Sequence, residues 1–218
     1  MRAIHVVICA AVAAFVVAGC TPEPPAPGGS PGKDCSVRGP GVDLSGCDLS
    51  GADLSWLNLT GADLTGAKLN GAKLSGTLLP GAVLDGVVGH GATLADTRPD
   101  LEFHEMVPTD LTGASLVGAD FSGSNLSNAR LTSADARVAS FHDAFLARVN
   151  FNSADLTGAN LSETYLWDTS FRLADLTNAT FLGITDITQD LDFYGAIWHH
   201  TTCPDGSVKN SPCTFPSF

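Results

Sequence analysis

Residues 51–75 read GADLS WLNLT GADLT GAKLN GAKLS, five consecutive groups of five residues that each carry leucine in the fourth position. The same spacing runs from position 44 to 94 and from 111 to 181, where every fifth residue is Leu or Phe except Gly89 and Ala136. Two residues before each of these centres stands a small residue, usually Ala, with Leu57 as the one bulky departure. A period of five matches neither the alternation of a strand nor the period of about 3.6 of an α-helix, so the backbone must turn regularly.

This pattern resembles the pentapeptide-repeat family, whose motif is A(D/N)LXX, over nearly all of residues 42–183. The resemblance implies an all-β fold, a right-handed quadrilateral β-helix in which four pentapeptides make one square coil. The central Leu or Phe and the small residue two before it would face inward, and the other three positions would face solvent. One large and one small inward residue per side fill a narrow interior, and stacked coils form a solenoid. With coils ~4.8 Å apart, the repeats predict a rod roughly 30 Å long.

Two departures interrupt the repeat. Leu94 and Leu111 lie 17 positions apart, five plus twelve, which predicts that about residues 97–108 form a loop or short helix ejected from the coil. After Phe181, the spacing restarts at Phe193 and Trp198, which leaves residues 183–190 as a connection. We therefore expect the β-helix to span residues 35–198 and a C-terminal cap to span residues 199–218.

The N-terminal segment predicts export and a lipid anchor. Residues 1–19 read as a signal peptide, because Met1-Arg2 precedes an apolar run that is too short for a comfortable membrane span. Val17-Ala18-Gly19-Cys20 resembles the lipobox of bacterial lipoproteins, which implies acylation of Cys20; an ordinary secretory signal is the alternative. Residues 20–34, rich in Pro and Gly, would tether the rod to the bilayer. The expected location is the extracytoplasmic side of the cell membrane.

Four cysteines remain after Cys9 and Cys20 are set aside, and they lie in two pairs at opposite ends of the chain. Local pairing would close a loop of about ten residues at each end, and each loop would contribute on the order of 3 kcal/mol. These loops would cap the open ends of the rod. A metal site built from all four thiolates is the alternative, although neither pair has the short spacing usual for zinc. The four residues are Cys35, Cys47, Cys203 and Cys213.

Residues twenty positions apart are expected to stack on one side of successive coils. This register places Asp48 beside Lys68, Asp53 beside Lys73 and Asp110 beside Arg130, which are opposite-charge pairs. It also places three carboxylates in one column without a basic residue in that column, which makes the column a weak candidate for cation binding, with solvated carboxylates as the alternative. The three are Asp135, Asp155 and Asp175.

A second column is aromatic and predicts a partner-binding surface. Phe145 and Tyr165 precede the centres of consecutive coils, Trp167 follows closely, and Arg148 would stack against Asp168. Exposed aromatics beside an arginine are typical of binding hot spots. The alternative is internal packing, with the segment around residues 95–110 or the C-terminal segment folded over these rings.

Charge and motifs restrict the function classes. The net charge of −12 argues against a nucleic-acid partner, because phosphate binding needs an excess of Lys and Arg. No nucleophile elbow, phosphate loop or dinucleotide fingerprint occurs, and His104 with Glu105 lacks the second histidine of a zinc protease. His142 is expected to be exposed, and the adjacent His199 and His200 are expected to point to different sides of an extended backbone.

These observations predict a membrane-anchored, non-enzymatic binding or scaffolding lipoprotein of the bacterial cell envelope, without a cofactor and with an unknown envelope protein as partner. Some members of the resembled family are acidic DNA mimics that bind type II topoisomerases, and this is one alternative. Export and the absence of an apolar dimerising helix at the C-terminus speak against it. A cryptic hydrolytic enzyme is the second alternative.

Overall fold

The computed structural model describes residues 33–89, 91–94, 108–184 and 191–215. The predicted signal peptide, Cys20 and most of the tether lie outside the described residues, as does the ejected segment up to residue 107. In the described part of the chain, no helix has the length and apolar character needed to cross a membrane.

The backbone coils with a period of twenty residues. Parallel bridges join Asp43 to Asp63 and Asp63 to Val83, and three further columns of bridges run alongside this one. Each bridge is made by paired backbone hydrogen bonds, as where Leu64 N donates to Val83 O over 2.7 Å and Val83 N donates to Ala62 O over 2.8 Å. Four bridges per coil, one for each pentapeptide, give the rod four sides.

Each side ends in a tight turn that needs a left-handed backbone. The residue two after each centre has a positive φ, which is the conformation required at the third position of a type II turn. Glycine adopts it without strain, as at Gly158, whereas Val138, one coil earlier on the same corner, holds a φ of 50°. The glycines of the repeat therefore serve the corners.

The interior is filled by the predicted residues. The Leu and Phe centres are fully or almost fully buried, and so are nearly all of the alanines two positions before them. Along one side the rings stack coil upon coil: Phe151 to Phe171 at 5.2 Å, Phe171 to Phe193 at 5.1 Å and Phe193 to Phe215 at 5.1 Å between centroids. Leu57, the bulky departure, is only partly buried.

The two interruptions fit the twenty-residue register. Leu78 bridges Asp110, 32 positions away, which equals one coil plus the twelve residues predicted to leave it. Ser170 bridges Asp192, 22 positions away, so the second interruption adds two residues. The bridges of the rod therefore continue after each interruption.

The last coil reaches further than predicted. Its final bridge joins Thr180 to Thr202, inside the segment expected to be a separate cap. The reason is that Cys203 occupies the next centre after Trp198 and is fully buried. Only then does the chain reverse, in a two-stranded antiparallel sheet of β1 (Thr201–Thr202) and β2 (Val208–Lys209).

Both ends carry a local disulfide. Cys35 and Cys47 are joined with a Cα–Cα distance of 5.7 Å, and Cys203 and Cys213 with one of 5.4 Å. At the C-terminal end the disulfide holds the chain that places Phe215 on top of Phe193, so that this ring continues the aromatic stack beyond the last coil.

Candidate functional site

The most distinctive outer surface is an aromatic face. It follows one column of bridges, in which Asn125 pairs with Phe145 and Phe145 pairs with Tyr165. The rings of Phe145 and Tyr165 lie 6.2 Å apart at an angle of 48°. Phe145 is 54% exposed, and Tyr165 is partly buried. These two residues stand where most repeats carry Asp, Asn, Ser or Thr, so the column changes from polar to aromatic between two coils.

Trp167 and Arg148 extend the aromatic face around the adjacent corner. The guanidinium carbon of Arg148 lies 4.1 Å from the centre of the Trp167 ring, and its Nε lies 3.6 Å from Oδ2 of Asp168. Arg148 and Asp168 occupy corresponding corners of successive coils, both with positive φ, and this brings them together. A cation–π contact at a partly exposed site contributes about 0.5–1 kcal/mol, enough to favour one orientation of the two side chains.

Both interruptions of the repeat border this face. The described residues end at Leu94 and at Ile184, and the next bridges along the chain, at Asp110 and Asp192, belong to the following side. The described coils between them carry Asn125, Phe145 and Tyr165. The structure therefore brings the four predicted partner-binding residues together, on the side of the rod where the repeat is most irregular.

The acidic column is not a stripe of unpaired charges. Asp135, Asp155 and Asp175 do follow one another in the bridges, but Arg137 reaches the first two of them. Its Nη2 lies 2.7 Å from Oδ2 of Asp135, and its Nε lies 3.9 Å from Oδ2 of Asp155. The hydrogen bonds from this guanidinium hold the pKa of Asp135 below its usual range.

This favours the alternative of solvated, partly paired carboxylates over cation binding, since Arg137 from the neighbouring turn offsets part of the negative charge of the column. No group of three metal-ligating side chains of the kind that could hold an ion is found within the described residues.

The other predicted charge pairs are bridge partners on successive coils, as the twenty-residue spacing predicts. Asp48 bridges Lys68, and their charged atoms lie 3.8 Å apart. Asp53 bridges Lys73, and Asp110 bridges Arg130. Exposed pairs of this kind contribute little to stability, about 0–1 kcal/mol each.

The histidines differ from expectation. His142 is partly buried, because its Nδ1 lies 3.1 Å from the hydroxyl of Ser162 on the next coil. His199 and His200 do not point apart: their Nδ1 atoms lie 2.9 Å from each other. The prediction assumed an extended backbone, whereas His200 sits at a corner with a φ of 52°. His104 and Glu105 lie outside the described residues.

A second apolar surface was not anticipated from the sequence. Tyr194 is 69% exposed, Leu173 60% and Ile197 52%, all in the last two coils. Arg172 lies over the ring of Tyr194 at 4.9 Å and binds Asp192 at 2.7 Å. The five-residue spacing contained the signal for this surface. Tyr194 directly follows the inward centre Phe193, and the position after a centre faces outward.

A family model described as pentapeptide repeats matches residues 40–76, 67–98, 109–143 and 154–184. HetL, a pentapeptide repeat protein involved in heterocyst differentiation regulation in the cyanobacterium Nostoc, is 31% identical, with 78% of this chain and 73% of HetL covered and a TM-score of 0.24. No curated protein matches the chain.

Two further solved structures are similar. Full-length QnrB1, a plasmid-mediated fluoroquinolone resistance protein, is 18% identical, with 72% of this chain and 79% of QnrB1 covered and a TM-score of 0.39. A pentapeptide repeat protein from the thylakoid lumen of Arabidopsis thaliana is 26% identical, with 62% of this chain and 68% of that protein covered and a TM-score of 0.21. The family model alone spans more than half of the residues, and the chain belongs to the pentapeptide-repeat family.

Proposed function

We propose that this protein is a lipid-anchored, non-enzymatic binding or scaffolding protein of the bacterial cell envelope. Acylated Cys20 holds it at the extracytoplasmic side of the cell membrane, and the Pro- and Gly-rich residues 21–34 lift the rod off the bilayer. The aromatic face then binds an envelope protein. We also propose that the coil is right-handed, as the family resemblance implies.

Support for the anchor comes from the sequence and from the cysteines. The lipobox-like residues 17–20 follow directly on the apolar run. Acyl chains contribute about 0.8 kcal/mol for each buried CH₂ group, so two or three chains hold a protein stably at a membrane. The two disulfides fit an oxidising compartment outside the cytosol, where such bonds form and persist.

A non-enzymatic role is supported by what the outward carboxylates do. Asp53 and Asp48 accept hydrogen bonds from the backbone of the residue two positions on, and similar contacts recur along the rod. The hydrogen bonds from Ser55 hold the pKa of Asp53 below its usual range. General acids and bases work best with a pKa near the working pH, so carboxylates of this kind are suited to turn formation rather than proton transfer.

The exposure of the aromatic face is the observation that carries the binding function. Phe145 presents more than half of its surface to solvent beside Tyr165, and Arg148 orders Trp167 at the adjacent corner. Burying such rings against a partner would remove apolar surface from water at about 25 cal/mol per Å². Ordered aromatics also lose little conformational entropy on binding, which makes them effective contact residues.

Site-specific photocrosslinking in intact cells tests this function. A photoreactive phenylalanine at position 145 should give a discrete adduct with one envelope protein, and the same group at Val138, a corner residue outside the aromatic face that is 62% exposed, should not. Replacing Tyr165 and Trp167 by Ala should abolish the adduct at position 145. Equal labelling at both positions, or an adduct that survives the double replacement, would rule out the aromatic face as the binding surface.

A further inference from the structure

An exposed pair of histidines lies at the C-terminal end of the rod, away from the aromatic face. Nδ1 of His199 and Nδ1 of His200 are 2.9 Å apart, and the two rings meet edge to face with centroids 4.3 Å apart. Both side chains are exposed. In this arrangement, one Nδ1 carries a proton and the other presents a lone pair to it.

The backbone holds this pair in place. His200 occupies the corner that Asn178 and Gly158 occupy in the preceding coils, and all three have positive φ. The amide of His200 donates to Oδ1 of Asn210 over 2.7 Å, and the carbonyl of His199 accepts from the amide of Asn178 over 2.8 Å. β1 begins at the next residue. The backbone that carries the two imidazoles is therefore hydrogen-bonded to Asn210 on one side and to Asn178 on the other.

The separation of the nitrogens fits two ligands of one metal ion. Metal–nitrogen bonds of about 2.0–2.1 Å place two ligands ~2.9 Å apart at a right angle and ~3.4 Å apart at a tetrahedral angle. The observed 2.9 Å matches the right angle. Right angles between neighbouring nitrogen ligands are typical of Cu²⁺ and Ni²⁺ in tetragonal sites.

We propose that His199 and His200 bind a divalent transition-metal ion through their Nδ1 atoms, with Cu²⁺ preferred. Cu²⁺ stands highest among the divalent first-row ions in affinity for nitrogen ligands, and imidazole is a suitable ligand for it. On binding, the shared proton leaves Nδ1, and both rings adopt the neutral tautomer that carries its proton on Nε2. Within the described residues no third His, Cys, Asp or Glu joins them, so water completes the coordination.

The residues at the same corner one coil earlier indicate which substitutions the fold should tolerate at positions 199 and 200. His200→Asn introduces the residue that Asn178 provides at the same corner one coil earlier and tolerates the positive φ. His199→Thr introduces the residue that precedes Asn178, Thr177. Both variants are expected to keep the fold and to remove one imidazole each, and His142→Ala serves as the control because His142 lies on a different corner beside Ser162.

Cu²⁺ titration of the full chain, followed by calorimetry and electron paramagnetic resonance, tests the proposal. We expect one equivalent of Cu²⁺ with two nitrogen ligands in the spectrum. His199→Thr and His200→Asn should each weaken binding by more than about tenfold, the lower bound for loss of even an outer-shell partner, and His142→Ala should leave it unchanged. Absence of a two-nitrogen spectrum, or wild-type affinity in either single variant with an unchanged melting temperature, would overturn it.

Discussion

Replacing Phe171 by Ala should lower the free energy of unfolding far more than replacing Phe145 by Ala, although both changes remove the same ring. Phe171 is fully buried and contacts three other rings, those of Phe151, Phe181 and Phe193. Phe145 is 54% exposed and contacts the single ring of Tyr165. The pair therefore compares an inward and an outward position of the same repeat pattern.

The magnitudes follow from these contacts. A buried Phe→Ala change costs about 3–5 kcal/mol, and the three ring contacts of Phe171 place it near the upper end. Loss of one partly solvated ring contact at Phe145 should cost about 1 kcal/mol. In a chain of this size, each kcal/mol lowers the melting temperature by about 2–4 °C, so we expect shifts of about 10–20 °C and about 2–4 °C.

Thermal unfolding followed by circular dichroism measures both shifts. Because each coil of a solenoid is stabilised by its neighbours, hydrogen exchange should also show that Phe171→Ala releases the last coils first. Equal shifts in melting temperature for the two variants would refute the assignment of inward and outward positions.

Three further predictions concern the surface and the ends of the rod. Replacing both Tyr165 and Trp167 by Ala should change the free energy of unfolding by no more than about 1 kcal/mol, measured by urea titration, since both lie on the outside; a larger loss would show that the rings are structural. Cys213→Ser should increase hydrogen exchange in residues 193–203, because the disulfide holds the ring that caps the stack, and unchanged exchange would contradict this. The hydrogen bond from Lys33 lowers the pKa of Asp43 to about 2, so its stabilisation is present above pH ~4 and is lost as the pH falls through 2. Asp43→Asn should therefore flatten the loss of thermal stability between pH 4 and 2, and an unchanged acid profile would contradict the pairing.

Much of the coil is encoded locally and was therefore predictable. Each pentapeptide specifies its own corner and its own inward pair, so the spacing of Leu94 and Leu111 alone predicts a twelve-residue interruption, and the 32 positions between the bridged residues Leu78 and Asp110 agree with that number. The same arithmetic placed Phe145 beside Tyr165.

The features that sequence reasoning missed depend on long side chains and on corner conformations. Arg137 lies in a turn outside the column that contains Asp135. A comparison of residues twenty positions apart therefore does not reveal the ion pair between them. His199 and His200 converge because His200 is a corner residue with a positive φ. The five-residue spacing predicts this corner only if the last coil is extended past Trp198. The spacing of Phe193 and Trp198 predicts Cys203 as the next inward centre, so the last coil extends beyond residue 198 into the segment expected to be a cap.

The N-terminus of the mature chain, isolated from the bacterial membrane and analysed by mass spectrometry, tests the proposed lipid-anchored function most directly. We expect this terminus to be Cys20, with a mass increased by two or three acyl chains, and we expect Cys20→Ala to abolish both the lipid and the membrane association. A mature chain that begins at another residue, or that begins at Cys20 without lipid and remains in the aqueous phase, would contradict it.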